Sequence, residues 1–222
     1  MNDNKSAFSS SAYDRKIKQT LPYYDEFYEQ VIELVKILKR NAVRWLDIGC
    51  GTGKMGSVAF ENVEIDKFVF CDSSDEMIRI AKERFQCHNA EFSVCDVQKL
   101  VYANEFDVIT AIQVNHYLHM DERKIALQNI HGALKDNGIF VSFENFAPFT
   151  DLGKTVYLDK WKEYQMRQGK SLEECEKHIK RYGEDYFPIS ISENMELMRN
   201  CGFKAVEILW LSNMQVGLWG IK

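Results

Sequence analysis

Apolar positions along the chain fall into two kinds of segment that alternate. Between residues 23 and 40, Phe27, Val31, Leu34, Val35 and Leu38 recur at helical spacing, which predicts an amphipathic helix. Residues 43–48 are largely apolar and run into Gly49-Cys50-Gly51-Thr52-Gly53, the pattern of a buried parallel strand feeding a tight turn. Residues 68–71 predict a second strand. Ser73 with Glu76 three residues on reads as a capping box, and Met77, Ile80, Ala81 and Phe85 supply the apolar stripe of the helix it opens. Strands are expected at 92–95, 108–112 and 139–143, with a helix over 121–134 stopped by Lys135-Asp136-Asn137-Gly138. Strands alternating with helices, most of the strands apolar throughout, argue for a doubly wound α/β sheet, mostly parallel and covered on both faces.

After Pro148 the rhythm changes. Residues 151–187 contain no strand-like run, are rich in Lys, Glu, Tyr and Trp, and read as two helices. A helix over 192–200 and strands over 203–209 and 214–221 follow. The short link between these strands predicts an antiparallel hairpin at the sheet edge, giving seven strands with the last antiparallel. With three prolines and no low-complexity tract, no linker divides the chain. The expectation is one domain over 1–222, with an N-terminal helical cap over 1–40 and an insertion after the fifth strand, 151–187, placed to act as a lid.

Composition narrows the class of function. The 222 residues are 45% apolar and 27% charged, ordinary for a globular domain, and carry a formal net charge of −5. That balance argues against a broad nucleic-acid surface. No run approaches the roughly 20 apolar residues of a membrane helix, and the opening Met1-Asn2-Asp3-Asn4-Lys5-Ser6 is not followed by the apolar core of a signal peptide. Six cysteines form no C-x-x-C pair and no zinc spacing, so a reduced cytoplasmic protein without a structural metal is expected.

The glycine cluster is the main chemical signal. A P-loop needs G-x-x-x-x-G-K-[ST], but Met55 follows Gly53-Lys54 and Ile48 stands where the first glycine should be. Gly51-Thr52-Gly53-Lys54-Met55-Gly56 fits the G-x-G-x-x-G of dinucleotide folds. Asp47 at the strand end counts against a pyrophosphate there and favours a cationic ligand carrying an ammonium and a sulfonium.

Leu46-Asp47-Ile48-Gly49-Cys50-Gly51-Thr52-Gly53 resembles the first motif of class I S-adenosylmethionine-dependent methyltransferases. Asp72-Ser73-Ser74-Asp75-Glu76-Met77-Ile78 is similar to that family's D-x-S-x-x-M-[LI] segment, and Asp96-Val97 follows the third strand where the family places another acid. Lys135-Asp136-Asn137-Gly138 resembles the L-K-P-G-G segment, with Asp and Asn in place of Pro and Gly. The resemblance spans about residues 43–145 and implies a Rossmann-like fold with S-adenosyl-L-methionine as cofactor. Asp47, Gly49, Cys50, Gly51 and Gly53 would form its glycine turn. Asp72 and Ser73 would hold the ribose, Met77, Asp96 and Val97 the adenine, and Ile112 and Gln113 would complete the wall.

Tyr13-Asp14-Arg15, Leu21-Pro22-Tyr23-Tyr24, the helical insertion and Cys201-Gly202-Phe203 resemble a narrower subgroup that contains carboxy-S-adenosylmethionine synthases. There a tyrosine matching Tyr24 lies over the cofactor. Carboxy transfer needs an arginine in the insertion to hold the added carboxylate, and Lys180 and Arg181 lie two residues away from that position. Methyl transfer to a small-molecule acceptor, an O- or N-nucleophile, by in-line displacement is therefore the expected activity. A carboxy-S-adenosylmethionine synthase and a catalytically inactive cofactor-binding subunit are the alternatives.

The fourth strand ends in Ile112-Gln113-Val114-Asn115-His116 at the carboxyl edge, where open α/β sheets bind ligands. His116 is the expected base or acceptor-orienting group, because histidine titrates near neutrality. Glu144 and Asn145, after the fifth strand, are expected to face the same edge and orient a polar acceptor, with Glu144 the second catalytic candidate beside His116. Tyr13, Tyr157, Trp161 and Tyr164 are candidates for an aromatic lid. Nucleic acid and membrane are not expected partners, and a homodimer is compatible with such a chain.

Overall fold

The structure, a computed structural model, describes residues 13–39 and 41–222; the part of the expected N-terminal cap in residues 1–12 lies outside it. Eight helices and seven strands are formed by the described residues. They run α1 (Tyr13–Lys18), α2 (Tyr24–Leu38), β1 (Val43–Ile48), α3 (Lys54–Asn62), β2 (Ile65–Asp72), α4 (Asp75–Phe85), β3 (Ala90–Val94) and β4 (Phe106–Ile112). Next come α5 (Met120–Ala133), β5 (Leu134–Asn145), α6 (Asp151–Arg167), α7 (Leu172–Lys180), α8 (Ile191–Asn200), β6 (Val206–Ser212) and β7 (Gln215–Ile221).

One sheet holds all seven strands in the order β3-β2-β1-β4-β5-β7-β6, and only β7 runs antiparallel to its neighbours. The expected seven-stranded, doubly wound α/β architecture is present. Because successive side chains on a strand point to opposite faces, β1 divides its residues between two cores. Trp45 packs with Phe68, Phe70, Val108 and Phe143 against α2, α3 and α4, while Leu46 and Ile48 pack with Val69, Ile109 and Phe140 against α5 and α8.

The chain leaves β1 toward β2 on one side and returns to β4 on the other. The crevice at the carboxyl ends of β1 and β4 is therefore the topological switch point, where doubly wound sheets accept ligands. The insertion closes onto the N-terminal segment across this edge. Trp161 Nε1 on α6 donates to the Thr20 carbonyl at 2.6 Å, and the Tyr164 hydroxyl donates to the Lys18 carbonyl at 2.9 Å.

Two local expectations are corrected. The cap of α4 is Ser74, whose hydroxyl accepts from the Met77 N–H at 3.2 Å, so Ser73 is left outside the helix. Lys135-Asp136-Asn137-Gly138 does not end a helix: α5 stops at Ala133, and the four residues bulge out of β5. Phe106 pairs with Leu134 and Val108 with Ile139, and Asn137 takes a φ of 59°, which Asn tolerates better than most residues.

Candidate active site

The glycine turn follows β1 and enters α3. Gly49 has φ +63°, and a Cβ there would stand 2.4 Å from Val114 Cγ2, so only glycine fits between the turn and the end of β4. Gly53, the left-handed N-cap of α3, is held against Phe85, 2.5 Å from an added Cβ. The turn is pinned from β2: Asp72 Oδ2 accepts from the Gly51 N–H and Oδ1 from the Ser74 N–H, both at 2.9 Å.

A cleft opens over this turn. Gly49 and Gly51 form its floor, Asp72 and Ser73 one side, and Met77, Asp96 and Val97 the far end. Ile112 and Gln113 close the wall beside β4. Gln113 adopts φ +61°, held by its N–H on the Phe143 carbonyl at 2.6 Å and by its Nε2 on Gln215 Oε1 at 2.7 Å. Nine of the residues expected at a cofactor site thus line one cleft.

Four others are placed differently. Tyr24, Asp47 and Cys50 line a smaller recess behind the turn, where Tyr28 donates to the Tyr24 hydroxyl at 2.6 Å. Gly53 lines neither space. Asp47 is buried and accepts from Thr110 Oγ1 at 2.7 Å, while Thr110 in turn accepts from Trp45 Nε1 at 2.9 Å. Burial pushes the Asp47 carboxyl up to about 7, only partly opposed by the Thr110 hydrogen bond. The aromatic residue over Gly51 is Tyr13, within 3.9 Å of an added Cβ.

The cleft fits S-adenosylmethionine on its own chemistry. Glycines let a ligand approach the backbone, Asp72 and Asp96 offer acceptors at the ends of β2 and β3, and Met77, Val97 and Leu118 give an apolar seat at one end. Asp96 also caps a 3-10 turn through its Oδ1 on the Gln98 N–H at 3.0 Å. A carboxylate has about four lone-pair sites, so Asp72 and Asp96 keep acceptor capacity after serving the backbone.

A second, inner cavity adjoins the cleft. Tyr13, Gln113 and Tyr117 line both, and His116, Asn145, Trp161, His178 and Tyr186 complete the inner one. His116 is buried, and its Nδ1 accepts the Asn145 N–H at 3.3 Å, so the proton of the neutral ring sits on Nε2. Burial, helped by the Arg123 and Arg181 charges, holds its pKa well below the usual histidine value. Burial likewise drives the Tyr117, Tyr186 and Tyr13 phenols up and His178 down to about 3. His116 is therefore a hydrogen-bond donor with no spare basic nitrogen.

Glu144 does not reach this space. It is 1% exposed, and its carboxylate is paired with Arg123 of α5, itself fully buried, and accepts from Ser142 Oγ at 3.2 Å. A lone charge at that depth is prohibitively costly, so the partner decides where the carboxylate points. Arg123 also donates to the Phe187 carbonyl at 3.2 Å, and Phe187 N–H donates to the His116 carbonyl at 2.7 Å. The ion pair thus braces the loop carrying His116.

Sequence reasoning missed Tyr117 and the Gln113–Gln215–Asn145 chain, in which Gln215 Nε2 donates to Asn145 Oδ1. It also left Arg181 unplaced: Nη1 donates to the Tyr186 hydroxyl at 2.7 Å, and the guanidinium lies 4.6 Å from the Tyr186 ring centroid. Among the lid candidates, Tyr13 faces the cleft and Trp161 the inner cavity. Tyr157 packs edge-on against Phe146, and Tyr164 binds the Lys18 carbonyl.

Comparison with known proteins agrees with this geometry. Residues 46–138 match the family described as a methyltransferase domain. A carboxy-S-adenosyl-L-methionine synthase of Campylobacter hominis is 24% identical over 209 residues, covering 90% of this chain and 86% of the relative. Its counterpart in Campylobacter concisus is 28% identical over 206 residues, covering 90% and 86%. The crystal structure of an S-adenosylmethionine-dependent methyltransferase from Clostridium acetobutylicum shares the fold, with a TM-score of 0.67, 15% identity and 96% of each chain covered. Residues 46–138 thus resemble a methyltransferase domain, on a fold shared with an S-adenosylmethionine-dependent methyltransferase, and S-adenosylmethionine is the cofactor that these comparisons support.

Proposed function

We propose that the protein transfers a methyl group from S-adenosylmethionine to a small polar acceptor, an O- or N-nucleophile, whose reacting group enters the inner cavity, a space of about 30 Å³. The observation that carries this is the shared wall: Tyr13, Gln113 and Tyr117 border both the cleft and the cavity. When bound, the cofactor supplies a methyl group already activated on a sulfonium. The remaining task is alignment, which can supply up to about 7–11 kcal/mol of a barrier. His116 Nε2–H, the side-chain amide of Asn145 and the Tyr117 hydroxyl are the groups we assign to holding the acceptor. None of them offers a base poised near pH 7, since burial keeps the imidazole and the phenols neutral. The acceptor therefore has to arrive as a competent nucleophile, such as a neutral amine, a carboxylate or an acidic phenol. Asp72, Ser73, Met77, Asp96, Val97, Ile112 and Gln113 are assigned to cofactor binding, with Tyr13 taking the covering role expected of Tyr24. Glu144 is assigned a positioning role through Arg123.

The test is incubation with methyl-labelled cofactor and a metabolite pool. Reproducible transfer of label to one product supports the proposal; no transfer to any product favours a cofactor-binding subunit without catalysis. A second reading is favoured by Arg181, whose guanidinium stands on Tyr186 of the inner cavity, and by the names of the curated relatives. In that reading Arg181 would hold the carboxylate of a carboxylated cofactor. Supplying prephenate together with S-adenosylmethionine tests it: mass spectrometry should show a carboxylated cofactor, and its absence excludes this activity.

A further inference from the structure

A groove runs between α1 and α7, on the far side of His178 from the inner cavity. Five cationic side chains line it, Lys16, Lys170, Lys177, Lys180 and Arg181, in a chain whose net charge is −5. The groove also holds three carboxylates, and each is engaged locally. Glu174 accepts from the Ser171 N–H as part of the α7 capping box, Asp185 pairs with Arg181 Nε at 2.6 Å, and Glu184 lies 4.0 Å from Lys180. Among the described residues, neither Lys16 nor Lys177 forms an ion pair within 4.0 Å.

Lys170 and Lys16 are both half-buried and close enough to repel, and the Lys170 ammonium already donates to Thr20 Oγ1 and, at 2.9 Å, to Gln165 Oε1. Burial, with the Lys16 charge adding to it, lowers the Lys170 pKa to about 8, although Glu174 opposes the shift. Like charges gathered in a half-buried groove cost free energy, and an anion seated among them removes that cost. The groove and the inner cavity flank one short segment. Lys16 and Gln19 face the groove, while Ile17 and Thr20 face the cavity. Arg181 reaches from the groove to the Tyr186 hydroxyl on the cavity side, and His178 lines both spaces.

We propose that this groove is an anion subsite that takes the phosphate or carboxylate group of the acceptor. The acceptor is then a small anionic metabolite, held by its charged end on Lys16 and Lys177 in the field of the Lys170 charge, while its nucleophile enters the cavity between α1 and the insertion. This rests on the methyl-transfer reading for the acceptor's identity, but the subsite itself is tested without turnover.

The protein loaded with S-adenosylhomocysteine is titrated with inorganic phosphate and, separately, with citrate. Calorimetry reads the affinity, and NMR of the lysine side chains reads the Lys170 pKa. Saturable binding of at least one anion that raises the Lys170 pKa is expected. The double variant Lys16→Gln/Lys177→Gln should weaken it about 10-fold or more, while Lys204→Gln, which removes a charge outside the groove, should leave it unchanged. Phosphate alone, citrate alone or both binding assigns the anion class. No saturable binding, or equal weakening by Lys204→Gln, overturns the subsite. Where label transfer is found, a labelled product carrying no negative charge overturns the link to the acceptor, while a subsite that binds without any label transfer leaves only the methyl-transfer reading refuted.

Discussion

Asp72 serves two backbone donors, Gly51 and Ser74, at the lip of the cleft, so its carboxylate fixes the glycine turn before any ligand arrives. Asp72→Ala is expected to weaken S-adenosylhomocysteine binding by about 1–3 kcal/mol by calorimetry; an unchanged affinity would leave it only the turn to hold. Asp47 makes an opposite point. Its carboxyl is raised to about 7 by burial, so the folded state holds a proton there that the unfolded state releases above about pH 4. The stability linked to that proton is present at low pH and lost as pH rises through about 7. Asn keeps an oxygen for Thr110 and drops the charge. Asp47→Asn should therefore gain about 1–3 kcal/mol over the parent at pH 8 and almost nothing at pH 4, read from denaturant midpoints at the two pH values. His116→Ala should lower kcat about 10- to 100-fold through loss of alignment while the cofactor affinity holds; equal losses in both would mark His116 as loop support.

At the scale of elements, the α5–β5 ion pair is the clearest case of one element steering another. Arg123 and Glu144 are 21 residues apart and both fully buried, and through Phe187 they brace the turn that carries His116. Truncating one partner strands the other charge, so Arg123→Ala should destabilise by about 3–5 kcal/mol. Arg123→Met with Glu144→Leu should recover most of that, as thermal melts of the two variants and the parent will show. The strand cores at 43–48 and 108–112 and the glycine turn were legible because each is specified by neighbours in sequence. The start of β2 was not: Ile65, Asp66 and Lys67 alternate in exposure and hide the strand behind a polar face. The β5 bulge was misread because Asn-Gly supplies a left-handed residue equally well to a helix end or to a bulge.

Across the whole molecule, pH acts through buried groups on three elements. His116 and His178 are held neutral by burial, His178 down to about 3. Below the ordinary histidine pKa the unfolded chain takes up protons these rings refuse, so their contribution is present above about pH 6.5 and lost as pH falls toward 3. Each costs up to about 1.4 kcal/mol per pH unit in that window. Asp47 works in the opposite direction between about pH 4 and 7, so two histidines outweigh one carboxyl and stability should fall on acidification from pH 6.5 to 4. Denaturant titrations at intervals across that range check the sign; a flat profile would mean that one of the rings is charged in the folded state, and a rise that both are. The sequence by itself determined the strand–helix alternation, the glycine turn after β1 and the acids at the ends of β2 and β3, because backbone conformation and strand burial are set by residues a few positions apart. Only the tertiary structure decided that Tyr13 covers the turn, that Glu144 turns to Arg123, and that Tyr117, His116, Tyr186 and His178 enclose one cavity. Those placements depend on which distant charge or ring a buried polar group meets, and local pattern carries no record of that.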